Sequence, residues 1–253
     1  MSPTALTDIA RYADEYLQIA RIEDWPNALN GVQIQNSGRV RKIGAAVDAC
    51  TRSLRAAAER GIDFLIVHHG IFWPGLQAIT SAHYRQVKCA FEADIAVYSS
   101  HLPLDLHPVV GNNAQLARAL GLENARAFLQ KKGRPMGVEA AMGIDLVELT
   151  SRLQHSLGGE VRCFAHGPER TARIALVTGA AGSEIYEVAR QGIDTFITGE
   201  APHWAAVAAQ ELGLNLLLGG HYATETFGVK ALAAHLSDRF DLPWEFIDLP
   251  TGL

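Results

Sequence analysis

The sequence predicts an α/β protein built of two similar halves, and two observations carry that reading. First, Ile43 to Trp73 aligns without a gap on Ile174 to Trp204: Gly61-Ile62-Asp63 meets Gly192-Ile193-Asp194, Ile66 meets Ile197 and Trp73 meets Trp204. Each copy reads strand, helix, glycine stop, strand, polar loop, tryptophan. A helix between two apolar strand runs is a βαβ unit with a right-handed crossover. Second, Phe64-Leu65-Ile66-Val67 is a continuous apolar run of the kind a parallel strand shows when both its faces are covered. It ends in His68-His69-Gly70, at the strand end where open α/β sheets bind ligands. In a regular strand the two imidazoles would point to opposite faces, and Gly70 lets the chain leave that geometry so that both converge.

Taken in order, Thr7 caps a first helix with Ile9, Tyr12, Ala13, Tyr16 and Leu17 at helical spacing. Trp25 to Gln33, with Pro26 and Gly31, reads as a loop. Val40 to Val47 is a strand ending at Asp48, which caps the helix Thr51 to Arg60 that Gly61 stops. Ile71-Phe72-Trp73-Pro74 closes the loop after His69, and helices follow over Ser81 to Glu92 and Asn113 to Leu120. From about Ala125 the pattern pauses, and the polar, basic stretch Gln130 to Gly137 reads as the crossing into the second half.

That half runs through a helix Val147 to Leu157, strands Val161 to Phe164 and Ile174 to Val177, a helix Ser183 to Arg190, a strand Thr195 to Thr198 and a helix His203 to Leu212. The turn Gly179-Ala180-Ala181-Gly182-Ser183 lacks the spacing and the lysine of a phosphate loop, so its role is structural. Leu216 to Leu218 is a further strand. A long helix Thr224 to Phe240 has Glu225 in its first turn, where the macrodipole favours it. That helix and a last strand, Trp244 to Ile247, return to the first half's sheet. The domains so drawn are 1–125 plus 215–253, and 126–214.

A second correspondence carries the chemistry. After Ile95 to Tyr98 comes Ser100-His101-Leu102-Pro103-Leu104-Asp105, and after Leu216 to Leu218 comes Gly220-His221-Tyr222-Ala223-Thr224-Glu225. Each is a strand, then a histidine, then a carboxylate four residues on. Three strand ends thus deliver four histidines and two carboxylates to one sheet edge. Imidazole and carboxylate without cysteine suit a divalent metal.

Composition narrows the function classes. The 253 residues are long enough for one large or two modest domains, and 48% apolar content is ordinary for a globular chain. No apolar run approaches the roughly 18 residues of a membrane span. The N-terminus carries Asp8, Asp14 and Glu15 and no basic region, unlike a signal peptide. Three scattered cysteines, Cys50, Cys89 and Cys163, fit a reducing, cytoplasmic compartment. A formal net charge of −5 argues against nucleic acid as a partner. The basic knot Lys131-Lys132-Gly133-Arg134 reads most simply as a solvated loop, with an anion contact as the alternative.

Val67 to Trp73, Ser100 to Asp105 with Gly111-Asn112-Asn113, Thr198 to His203 and Gly219 to Glu225 together resemble the signatures of the NIF-three-like dinuclear-metal family, often labelled GTP cyclohydrolase type I, type 2 homologues. The resemblance runs from Asn30-Gly31-Val32-Gln33 to Pro250-Thr251-Gly252, with Val32 where a leucine would be expected. It implies two similar three-layer α/β domains, the second inserted in the first, and a ring-shaped homohexamer with metal sites facing an internal cavity. It implies as ligands of two divalent ions His68, His69, Asp105, His221 and Glu225, with Glu225 bridging. The longer members' extra inserted domain has no room here.

Two divalent ions in such a site can activate water and stabilise an oxyanion, so hydrolysis of a small molecule is the natural reaction class. His101, Glu200 and His203 are then candidates for moving protons near neutral pH. Zinc, iron, manganese, cobalt and nickel all accept these ligands. The alternative is a protein that binds a metal or metal-bound cofactor and delivers it without turnover.

Overall fold

The computed structural model describes residues 3–131 and 133–253. Met1, Ser2 and Lys132, the last in the basic knot, lie outside the described residues. The chain divides into two compact units, 1–110 with 228–249 and 111–227 with 250–253. Residues 111–125, 215–227 and 250–253 therefore belong to the second unit, not the first as the sequence reading drew them. Gln130 to Gly137 is no crossing either. It forms most of a hairpin of β7 (Arg126–Lys131) and β8 (Arg134–Ala141) inside the second unit. Polar, basic composition is what an edge hairpin also shows, and composition alone does not separate the two.

In the first unit, α1 (Leu6–Tyr16) opens without a side-chain cap. Its first amide is bonded by the Gly38 carbonyl at 3.0 Å, so Thr7 lies inside the first turn with no capping task. Short strands β1 (Thr4–Ala5) and β3 (Arg39–Val40) pair antiparallel. The main sheet contains β2 (Gly31–Ile34), β4 (Ile43–Asp48), β5 (Phe64–His69), β6 (Ala96–Ser99) and β13 (Trp244–Phe246), in the order β13-β4-β5-β6-β2 among the described residues. The return of the last strand to this sheet is as the sequence reading expected. β2, antiparallel on β6, falls within the stretch read as a loop; it is a four-residue edge strand whose register shifts between Val32 and Ile34.

Successive strand residues face opposite sides of this sheet, and both sides are buried. Ile43, Ala45, Phe64, Ile66, Ala96 and Tyr98 pack with α1 and with α10 (Thr226–Phe240). Ala46, Leu65, Val67 and Val97 pack with α2 (Thr51–Glu59) and α3 (Ser81–Glu92). Burial on both faces is why these strands read as unbroken apolar runs.

The second unit repeats the plan. Its sheet runs β7-β8-β10-β11-β12-β9, with β9 (Arg162–Phe164), β10 (Arg173–Val177), β11 (Thr195–Thr198) and β12 (Asn215–Leu218). One face packs on α5 (Asn112–Ala119) and α6 (Leu146–Leu157), the other on α7 (Ile185–Arg190) and α8 (His203–Leu212). The repeat extends to register: Ile43 stands opposite Phe64 in a parallel pair and Ile174 opposite Thr195 in another. In each unit a third parallel strand follows and an antiparallel edge strand, earlier in the chain, closes that side. Even a carboxylate recurs, Asp63 accepting the Arg41 and Lys42 amides and Asp194 those of Ala172 and Arg173. No helix among the described residues is long and apolar enough to cross a membrane.

Candidate metal centre

In the first unit the C-terminal ends of β4, β5 and β6 lie side by side, and the chemistry collects there. His68 is fully buried as the penultimate residue of β5, His69 ends that strand, and His101 follows β6. Their ligand-capable nitrogens all lie within 4.8 Å of one another. His101, expected to move protons, therefore stands with two of the residues expected as ligands. Asp105 ends the short helix α4 (Leu102–Asp105) and brings Oδ2 to 3.5 Å from His68 Nε2.

Each ring is oriented through Nδ1. His68 donates to the Ser100 carbonyl at 3.0 Å, His69 to Asp48 Oδ1 at 2.9 Å and His101 to Asp24 Oδ1 at 2.9 Å. Because these oxygens only accept, the proton of each neutral ring sits on Nδ1 and the Nε2 lone pair is left for a ligand bond. Asp48 thus orients His69; the cap of α2 is instead Cys50, reciprocally bonded with Ser53.

Asp24 is cradled by the Trp25 and Leu102 amides and the Asn30 side chain. Burial alone would raise its carboxyl, but the His101 hydrogen bond and charge, with hydrogen bonds from the Asn30 side chain and the Trp25 amide, hold it below the usual range. Asn30 Oδ1 also accepts the His101 amide, and Gln33 Oε1 accepts that of Ile71. A Cβ on Gly70 would meet the Gln33 amide at 2.2 Å, which is why the residue after the histidine pair carries no side chain.

The second unit presents His221 and Glu225 from the corresponding edge of its own sheet, after β12, so the three strand ends belong to two sheets and not to one sheet edge as the sequence reading had it. The predicted long helix is broken there: α9 (His221–Thr224) ends at Glu225, and α10 starts one residue later. Glu225 is buried and places Oε2 at 3.3 Å from His221 Nε2. His221 donates from Nδ1 to Glu200 Oε2 at 2.9 Å, so Glu200, at the repeat position of His69, orients a histidine. The Glu225 hydrogen bond first, then against burial the charges of Glu225 and Glu200, push the His221 imidazole up to about 9. A Cβ on Gly179 would lie 2.3 Å from Glu225 Oε1, so this glycine, read as structural, leaves the room Glu225 occupies. His203 is exposed at the start of α8 and takes no part in this hydrogen-bonded group.

The donors fit a metal on geometry as well as on type. Two donors of one tetrahedral ion at about 2.0–2.1 Å stand roughly 3.3 Å apart. The His68–Asp105 and His221–Glu225 separations of 3.5 and 3.3 Å match that spacing. The positioning tasks of Asp24, Asp48 and Asn30 escaped the sequence reading, since none of the three lies beside a histidine in the chain.

The family model Duf34/NIF3 (NGG1p interacting factor 3) matches residues 4–251. A relative from Deinococcus radiodurans, named GTP cyclohydrolase 1 type 2 homolog, is 42% identical over 97% of this chain and 94% of its own. One of the same name from Escherichia coli is 39% identical over 96% and 98%. The crystal structure of TTHA1606 from Thermus thermophilus superposes with a TM-score of 0.91 at 40% identity, covering 99% of this chain and 100% of that one.

Proposed function

The chain belongs to the Duf34/NIF3 family, and from that premise we propose that it is a dinuclear metal-dependent hydrolase acting on a small molecule, a nucleotide or heterocyclic amide. The observation that carries this reading is the shared orientation of His68, His69, His101 and His221, each engaged at Nδ1 by a carbonyl or carboxylate. Metal-ligating histidines are held in this way. In this reading His68, His69, Asp105, His221 and Glu225 hold two divalent ions, with His101 beside them. A donor set of imidazole and carboxylate admits zinc, iron, manganese, cobalt or nickel. Bound there, such ions supply Lewis acidity and a water acidified towards neutral pH. The name carried by the relatives supports the substrate class.

The chain's own residues do the rest. Asp24, Asp48 and Glu200 fix the imidazoles. Glu200, half exposed, can also take up and return a proton, and the exposed His203 is a further candidate for that task. One observation favours a second reading, metal or cofactor delivery without turnover. With 30% of the His221 side chain and 50% of Glu200 exposed, an ion held there is open to exchange.

Metal analysis of purified protein is expected to give two divalent ions per chain, with H68A and E225A well below that. Unchanged content in both variants overturns the ligand set. A screen of nucleotides and cyclic amides separates the two functions: a hydrolase shows metal-dependent turnover that E225Q loses, whereas a carrier shows none and releases metal to a chelator within minutes. The homohexamer and the cytoplasmic setting belong to the same proposal, and light scattering tests the first.

A further inference from the structure

The repeat gives each unit a tryptophan at the same position, and their surroundings differ in a way that matters. Trp204 in the second unit is stacked on Tyr186, ring centroids 6.1 Å apart and planes at 14°. Trp73 in the first unit instead meets imidazoles, at 4.7 Å from His101 and 5.4 Å from His69, with planes at 62° and 47°. Neither imidazole lies flat on it. The indole is therefore fixed by two rings of the candidate metal centre while no aromatic ring among the described residues covers its face, and 39% of the residue remains exposed.

Its backbone is fixed as well. Trp73 and Pro74 are the central residues of a turn closed by the Gly75 amide on the Phe72 carbonyl at 2.8 Å. The turn is tied at its start, where Gln33 accepts the Ile71 amide and donates to the Ala28 and Leu29 carbonyls. A half-exposed indole set against the edges of two imidazoles is an amphipathic surface whose open face pairs best with another flat ring, in offset stacking.

We propose that Trp73 is the stacking platform that selects a planar heteroaromatic substrate, a purine-class ring, and seats it beside His69 and His101. This rests on the hydrolase reading and adds to it the residue that determines specificity. Stacking of a base on an aromatic side chain is lost on truncation to alanine, so affinity falls by about tenfold or more, whereas another aromatic retains most of it.

The test uses the full chain loaded with zinc and measures binding of guanosine by calorimetry, with ribose as the probe that lacks the ring. Wild type is expected to bind guanosine and not ribose. W73A should bind guanosine about tenfold or more weakly, W73F within about threefold of wild type, and W204A like wild type. All should carry the same zinc content and have the same mass by light scattering. Equal guanosine affinity in W73A and wild type overturns the proposal. So does a W73A protein that changes mass but not affinity, since Trp73 would then face another copy. A wild type that holds zinc and binds no guanosine overturns it while the metal reading stands. A wild type that holds no zinc removes the metal reading, and the guanosine comparison repeated without metal still judges Trp73.

Discussion

Asp48 reaches the His69 ring from the end of the neighbouring strand, and its carboxylate does two things there: it fixes the tautomer and makes the imidazole a stronger donor. Removing such a partner costs about 10–100-fold in metal affinity. D48A should show that loss in a chelator competition, with an unchanged circular dichroism spectrum because the side chain is 38% exposed and packs little. Affinity equal to wild type would show that Asp48 does not support His69. His221 sets a pH dependence. Without metal its folded pKa is about 9 against an ordinary 6.5, chiefly because of the Glu225 hydrogen bond. A raised pKa stabilises the fold in full below about 6.5, and that contribution is lost as pH rises through about 9. Urea unfolding of chelator-treated protein should therefore show stability declining across that window, and H221Q should flatten the decline. The same proton must leave before metal binds, so metal affinity rises over the same range. The His221 and Glu225 contact was legible because the two stand four residues apart, whereas Asp105, four residues after His101, meets the distant His68. Asp24 and Asp48 were not legible, because a distant carboxylate acquires its task only when strands pair.

Elements show the same division. The βαβ repeat was readable because its apolar runs are long, gap-free and buried on both faces, and the structure preserves it down to strand register. β2 was not readable, being short, at an edge and irregular. The break before α10 escaped too, since Glu225 suits a first helical turn as well as the gap it occupies. Gly179 exposes a limit of motif matching: the turn fails as a phosphate loop, yet its first residue sits against Glu225. G179A meets both a positive φ of 70° and the 2.3 Å approach to Oε1. It should lower stability by about 1 kcal/mol or more and displace Glu225, with loss of bound metal. G158A supplies the comparison, because that helix-ending glycine has a φ of 67° and open space around it. A similar stability loss with full metal content is expected there. Metal loss in both variants would trace the effect to backbone strain and not to Glu225.

At the scale of the molecule, the sequence reading recognised an insertion and misplaced its edges. Both true edges lie in or beside helices, between Val110 and Gly111 and between Phe227 and Gly228, where no shift in composition marks them. What fixes them is packing. α5 and the turn after it bring Leu116 and Leu120 into one core with Ile174, Leu176, Ile197 and Leu217, and Leu216 enters the core on the opposite face. A fragment 111–227 keeps both cores and is expected to give a folded circular dichroism spectrum and a cooperative thermal transition. The fragment 126–214, cut where composition suggested, lacks α5 and the whole of β12. It loses Leu116, Leu120, Leu216 and Leu217, all fully buried. At about 2–5 kcal/mol for each leucine lost from a core, four exceed most of the roughly 5–15 kcal/mol by which a domain is stable. That fragment should be unfolded at room temperature. A cooperative melt from 126–214 would show that neither α5 nor β12 is needed, and the unit boundaries drawn from packing would fail with it.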